Sequence, residues 1–498
     1  MRPDPNQIDK RIVLASSPAG GAGQADGAVA LPGLTPLGER LRLTRPRIAL
    51  HPLAGRFALA TLLIGSLVVV LFATAGPSVL VPQSGHVFPG WESGPLHAVL
   101  GGLNLHHATA LNIGFSIVLV AMMAAYLVVL ASVRTLSMRL IVASVIALHV
   151  ILLMSPPLQL TDTFNYLGYA RLGGLHHLNP YNHVIAQELH DPVYRFATWY
   201  HLKSPYGPLF TLASYPLSYL PLGVAYWVLK VVTVLFSLGF VALVWKCARL
   251  LGRDPRFAVL LVAANPVFLM YAIAGFHNDF FMLVPSTAAI ALLLARRDRS
   301  AGAVLMLAVA VKFTAILLLP FLLFAARPTQ RRVRVLTGAV AAGAVLAVGY
   351  LAVFGTTLPN LADQSTLLTP WSFPNIVGLI LGVGGGTPGV LRLANVALVV
   401  TIALLLRRRK DWLSGAGWST VALVASLAWL VPWYVIWILP LAALGTSVRL
   451  RRAAVAITAY VVLAFIPATG MFMSAHHLNL MGGSAGQASK QLQKKLEQ

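Results

Sequence analysis

The stretch "SAGAVLMLAVAVKFTAILLLPFLLFAARP", residues 300–328, is apolar for long enough to cross a bilayer once. Yet it carries basic clusters at both ends, Arg296 to Arg299 before it and Arg327 to Arg334 after it. Short loops rich in Arg and Lys are retained on the cytoplasmic side during insertion, so a single crossing should have only one basic end. Two basic ends predict a re-entrant helical hairpin, broken near Lys312. Irregular backbone at that depth is tolerated only where protein or a water-filled cavity covers it. The hairpin sets the direction of every span that follows.

Working outward, the chain of 498 residues is 58% hydrophobic and only 10% charged, whereas a soluble globular chain is nearer a quarter charged. Apolar runs recur between the basic clusters Arg40 to Arg56, Arg134 to Arg139, Lys246 to Arg256, Arg407 to Lys410 and Arg449 to Arg452. Threading them gives expected spans at 57–80, 109–131, 139–154, 222–248, 257–275, 280–295, 334–354, 388–406, 414–431, 434–448 and 453–473. The expected fold class is therefore an all-α polytopic membrane bundle of about eleven full crossings plus the hairpin. "VGGGTPG", 383–389, is expected to separate a short helix from the span after it. With the N-terminus inside, the C-terminus lies outside.

The formal charge of +23 could suggest nucleic acid, but the basic residues fall in topology-setting clusters without the aromatic interleaving of a strand binder. No nucleic-acid partner is expected. The single cysteine, Cys247, excludes an internal disulfide and a cysteine-based metal site. Residues 1–50 read as a disordered basic cytoplasmic tail, and 476–498 as a polar C-terminal tail outside the fold. Three longer segments, 81–108, 155–221 and 355–373, fall on the outer face. The middle one mixes aromatic, His and apolar residues at irregular helical spacing, which predicts interfacial helices.

Carboxylates are scarce, and those outside the tails and cytoplasmic loops are Glu92, Asp162, Glu188, Asp191, Asp279 and Asp363. All are expected to face outward. Asp162 lies in "LTDTFNYLGYARLGG", 160–174, just beyond a span, where a carboxylate is costly unless solvated, paired or used. It either caps, with Thr161, a helix beginning near Phe164, or acts as a base. A cap fixes the rotamer a base needs, so both can hold. "AGFHNDFF", 274–281, crowds His277, Asn278 and Asp279 into a tight outer turn, more hydrogen-bonding groups than a turn requires. Lys312 must pair, snorkel to lipid headgroups or meet an anion such as phosphate. "HLKSPYGPLF", 201–210, adds His201, Lys203 and Tyr206. "TPWSFPN", 369–375, and "VPWYVIW", 431–437, put Trp371, Trp433 and Tyr434 at the outer boundary, as belt residues or as rings for a sugar to stack on. No Gly-rich nucleotide loop or Asp-x-Asp motif occurs, so an activated donor would have to arrive in the membrane.

The order "TDTFNY", "NPY", "SPYGPL", "NP…GFHND", "VKFTAILLLP", "PWYVIWILPLA" resembles the actinobacterial polyprenol-phosphate-mannose-dependent α-1,6-mannosyltransferases, multi-spanning glycosyltransferases of the GT-C superfamily. The similarity covers roughly residues 57–473. It implies a GT-C-like bundle in which 51–138 adds two N-terminal spans and 139–475 is the catalytic core. It also implies a polyprenyl-phosphate sugar donor, a glycan or glycolipid acceptor, and a site on the outer face of the bacterial plasma membrane.

In such a core the first outer loop carries the catalytic carboxylate, here Asp162, acting as general base in an inverting transfer. A phosphate leaving group needs cations and donors instead of a second acid. Arg171, His201, Lys203, Tyr206, His277 and Lys312 are the candidates to hold it, and Asn165, Tyr166, Asn278, Asp279, Trp371, Trp433 and Tyr434 those for sugar or acceptor. No metal ligands are assigned, and a divalent cation stays open as a cofactor. A transporter or flippase of lipid-linked sugars, or a scaffold for envelope assembly, are the competing readings. The gathering of polar groups on one face, not at the midplane, disfavours the transporter.

Overall fold

A computed structural model of the chain describes residues 51–75, 90–100, 108–158, 162–359, 366–407 and 411–497. The expected basic tail, Thr161 and Asp363 lie outside these residues. The described secondary structure is helical throughout. Among the described residues five helices are long and apolar enough to cross a bilayer: α1 (Ala54–Ala75), α2 (Ala108–Ala131), α5 (Leu222–Leu250), α9 (Thr329–Phe354) and α10 (Pro388–Arg407). Between them come α3 (Met138–Leu153), α4 (Asp162–Gly174), α6 (Asp279–Leu294), α7 (Asp298–Val311) and α8 (Leu318–Ala325). After them come α11 (Trp412–Ser426), α12 (Val448–Phe465) and α13 (Ser484–Glu497). At Pro467 the chain turns by 56° into a short helix, Pro467–Ala475, because proline cannot continue the ladder.

The hairpin is present. The α7 helix stops at Val311, Lys312 is extended, a 3₁₀ turn covers Phe313–Leu317, and α8 leads back. With 14 residues α7 rises about 21 Å, short of the ~30 Å hydrocarbon core. Arg331 at the start of α9 pairs with Asp298 at the start of α7, N to O 2.7 Å. That pair ties the base of the hairpin together, and α7 and α9 then rise side by side. Their contact is glycine to backbone: a Cβ on Gly302 would lie 1.9 Å from the Val335 carbonyl oxygen, and one on Gly338 1.9 Å from that of Arg299. Gly302→Ala should therefore force the helices apart and destabilise by about 1–3 kcal/mol, the usual range for overpacking. Thermal unfolding in detergent would measure it, and an unchanged midpoint would refute the close contact.

Besides 453–473, bent at Pro467, two further expected crossings are not single helices. In 257–275 the helix Pro255–Ala263 ends at Asn265–Pro266, whose Asn side chain accepts from the Val267 and Phe268 amides and donates to Thr458 at 2.9 Å. A π-helical turn, Phe268–Ile273, follows and leads into the "FHND" turn. In 434–448 the chain forms a 3₁₀ run, Pro432–Trp437, and a short helix, Leu439–Leu444. Prolines at the start of both pieces remove the amides a continuous helix would use. At "VGGGTPG" the expected break is seen, with Gly384 and Gly385 at positive φ between the helix Phe373–Ile380 and α10.

The segments expected on the outer face also differ from their expected form. The α4 helix is buried on nearly every side instead of resting on the surface, with Phe164 stacked on Tyr226 at 5.5 Å and on Phe196 at 5.0 Å. The terminal segment forms α13, not a free tail. Its Leu496 is buried with Trp199, Leu202 and Leu367, its Ser489 hydroxyl accepts from the Leu368 amide at 2.8 Å, and the Leu496 carbonyl accepts from the His201 amide. An amphipathic face hides in a polar composition when its apolar residues are few and correctly spaced.

Candidate active site

Arginine-bearing turns and the polar turns lie at opposite ends of the helices: α6 runs from Asp279 to the turn at Arg296, and the segment from Pro432 runs to Gly445, whose carbonyl accepts from Arg253 and Arg451. At the end away from the arginines a narrow cleft with a cavity volume of about 80 Å³ opens. Asp162, Tyr166, Tyr206, Asn278, Asp279, Lys312, Trp433 and Tyr434 line it together with Trp199, Leu202, Pro205, Leu367 and Trp429. Eight residues singled out in the sequence thus converge from five separate segments.

Local chain geometry explains the convergence. Asp162 is the first residue of α4, so it sits at the helix N-terminus, where negative charge is favoured. Four residues on, Tyr166 shares its face, and its hydroxyl accepts from the Asn278 amide at 3.2 Å, pinning the "FHND" turn to α4. In that turn Phe276 adopts φ 51. The hairpin tip is docked by the Gly207 amide, which donates to the Val311 carbonyl at 3.1 Å. Only glycine fits there, since a Cβ would lie 2.3 Å from the Ala310 carbonyl oxygen. This contact sets Lys312 beside Tyr206.

Lys312 donates to Asp279 Oδ1 at 2.8 Å, and Trp437 Nε1 donates to the same oxygen at 2.6 Å. The ammonium also lies 5.0 Å from the centre of the Tyr434 ring and 4.9 Å from that of Trp437, a cation–π arrangement. Asp279 is 1% exposed in its side chain, whereas Lys312 keeps 22%, on the cleft side. An ammonium has three protons, so one partner leaves capacity for an incoming anion. Asp162, 16% exposed in its side chain, has its Oδ2 3.5 Å from Nδ1 of the fully buried His277. Burial first, and then the charge of Asp162, holds the Tyr166 and Tyr206 phenols well above their ordinary range, so both stay protonated donors.

Other expected site residues are elsewhere. Arg171 is occupied by Asp191 at 2.7 Å and by the Ser218 carbonyl at 3.1 Å, and His176 joins the same carboxylate. Burial raises the Asp191 carboxyl, but hydrogen bonds from His176, the Val193 amide and Arg171 more than offset it and hold it below the usual range. The cluster braces the 155–221 segment. His201 is exposed and Lys203 half-buried, and neither lines the cleft. Asn165 is buried and accepts from the Thr198 amide at 3.0 Å, supporting the Trp199 wall from behind. Trp371 lies by Tyr460, whose hydroxyl donates to its carbonyl at 2.6 Å. Sequence reading missed Trp199 and Trp429. Their only signal is aromatic character near outer boundaries, where tryptophan is common anyway.

A helical membrane protein whose carboxylate-bearing cleft is walled by aromatic rings fits the class of membrane glycosyltransferases. A family model described as the N-terminal domain of alpha-(1->6)-mannopyranosyltransferase matches residues 60–328, and one described as the MptB C-terminal domain matches residues 373–485. The chain is 29% identical over 379 residues to the alpha-(1->6)-mannopyranosyltransferase A of Mycobacterium tuberculosis, covering 65% of this chain and 69% of that one. It is 26% identical over 366 residues to a probable alpha-(1->6)-mannopyranosyltransferase of Mycolicibacterium smegmatis, covering 62% and 65%. A third relative, the alpha-(1->6)-mannopyranosyltransferase A of Corynebacterium glutamicum, is 28% identical over 199 residues, covering 36% of this chain and 37% of its own. No solved structure matches. The chain belongs to the alpha-(1->6)-mannopyranosyltransferase family, a family of mannosyltransferases.

Proposed function

We propose that this protein transfers a mannosyl residue from a polyprenyl-phosphate carrier to a hydroxyl of a glycan or glycolipid, at the outer face of the plasma membrane, within a GT-C-type bundle. The observation that carries the reading is Asp162 and Lys312 on one cleft that tyrosine and tryptophan side chains also line. Asp162 takes the proton from the acceptor hydroxyl as that oxygen bonds to the anomeric carbon. The bond from that carbon to phosphate oxygen breaks, and polyprenyl phosphate leaves with the electron pair. Its charge meets Lys312 and the phenols of Tyr166 and Tyr206, donors aimed at charge that grows in the transition state. Trp199, Trp433 and Tyr434 offer faces to the apolar side of the sugar. Attack from the side opposite the leaving group turns a β-linked carrier into an α-linked product.

The family relationship supports mannose, and the apolar helices around the cleft support a donor that stays in the bilayer. The reading is tested with the purified full chain in lipid nanodiscs, given radiolabelled polyprenyl-phosphate mannose and a mannoside acceptor. An α-linked product is expected. Label that crosses sealed vesicles without any transfer would overturn the proposal in favour of a flippase.

A further inference from the structure

His277 offers the phosphate nothing from where it sits: its side chain is 0% exposed and does not line the cleft. Neither ring nitrogen has a hydrogen-bond partner. Its ring lies flat on Trp433, centroids 3.6 Å apart and planes at 14°, and its Nδ1 points at Asp162 Oδ2, 3.5 Å away. A buried imidazole with both nitrogens unsatisfied is costly. A neighbouring carboxylate within ion-pair range is the group able to relieve it.

We infer that His277 is the positioning residue of Asp162: with its proton on Nδ1, it holds one carboxylate oxygen from behind so that the other faces the acceptor hydroxyl in the cleft. The arrangement fixes the base in two ways. The stack on Trp433 sets the plane of the imidazole, and the turn sets its depth, because a Cβ on Gly275 would collide with Nε2 at 2.5 Å. The charged or titratable groups facing the dyad from the packed elements are Tyr166 and Tyr169 of α4, Tyr206 of the 201–210 segment, Asp279 of the same turn, Lys312 of the hairpin tip and Tyr434 of the 3₁₀ run. Asp279 Oδ1 is engaged by Lys312 and by Trp437. Removing the Nδ1 donor therefore acts chiefly on Asp162. Losing a hydrogen bond to the charged form makes that carboxylate easier to protonate, so the base is lost at a higher pH.

The inference rests on Asp162 being the base, and the test separates the two claims. His277→Phe keeps the stack and removes the donor, whereas His277→Asn places an amide donor near the Nδ1 position. Measured on the full chain in nanodiscs, His277→Phe should lower kcat about 10- to 100-fold, the size of a lost charge-assisted hydrogen bond. Its donor KM should be unchanged, and the acidic limb of its pH–rate profile should move to higher pH. His277→Asn should recover most of kcat and move the limb back. A His277→Phe enzyme with wild-type kcat and limb, or an Asn variant no better than Phe, overturns the positioning role. If either variant fails to reach wild-type helicity and melting temperature, His277 is a structural residue and the inference falls. Should Asp162→Asn prove fully active, the failure lies with the base assignment instead.

Discussion

Replacing Asp162 by Asn is expected to leave the chain folded and able to bind the lipid donor, while transfer drops by about 100- to 10,000-fold, the range that general-base assistance supplies. The amide is isosteric and keeps the helix N-terminus occupied, so stability changes little. It cannot accept the acceptor's proton. Donor KM should stay near the wild-type value because the proposed phosphate donors, Lys312 and the tyrosines, line the same cleft and are untouched by the substitution. Measuring kcat and donor KM side by side distinguishes a lost base from a lost binding contact. Near-normal kcat in Asp162→Asn would remove the proposed mechanism.

The second large effect concerns the pair Asp279–Lys312. Lys312→Gln should weaken donor binding and also lower stability, because Asp279 is 1% exposed in its side chain and keeps only Trp437 as a donor. Removing one partner of a fully buried pair costs roughly 3–5 kcal/mol; the partial opening of Lys312 to the cleft places this case below that range. The double variant Lys312→Gln with Asp279→Asn should restore most of the stability and none of the donor affinity. Thermal unfolding and donor titration of the four proteins make the cycle. If the double variant regained donor binding as well, the ammonium would be a brace and not a phosphate ligand.

Much of the site was legible because the chain is so poor in charge that each polar group against the apolar background asks for a reason. Asp162, the "FHND" turn and Lys312 stood out on that ground, and the break at Lys312 followed from basic residues on both flanks. What could not be read was partnership. Lys312 and Asp279 are 33 residues apart, and nothing local tells that the cation meets this carboxylate, or that Arg171 is taken by Asp191. The run 257–275 has the hydropathy of a crossing, yet the Asn265 side chain captures the amides that would have continued the helix. For α13 the apolar face rests on Leu492 and Leu496, too few residues to outweigh the polar ones around them. The tryptophans of the wall were hidden by their abundance at membrane boundaries.

The α7 limb also works as a ruler. Its foot is fastened by Asp298 to Arg331 and its top by Val311 to Gly207, so the count of 14 residues between them sets the height of the ammonium. That height is about 21 Å, less than the ~30 Å thickness of a bilayer's hydrocarbon core. One residue more or fewer in the limb would swing Lys312 about 100° around the axis, away from the carboxylate of Asp279.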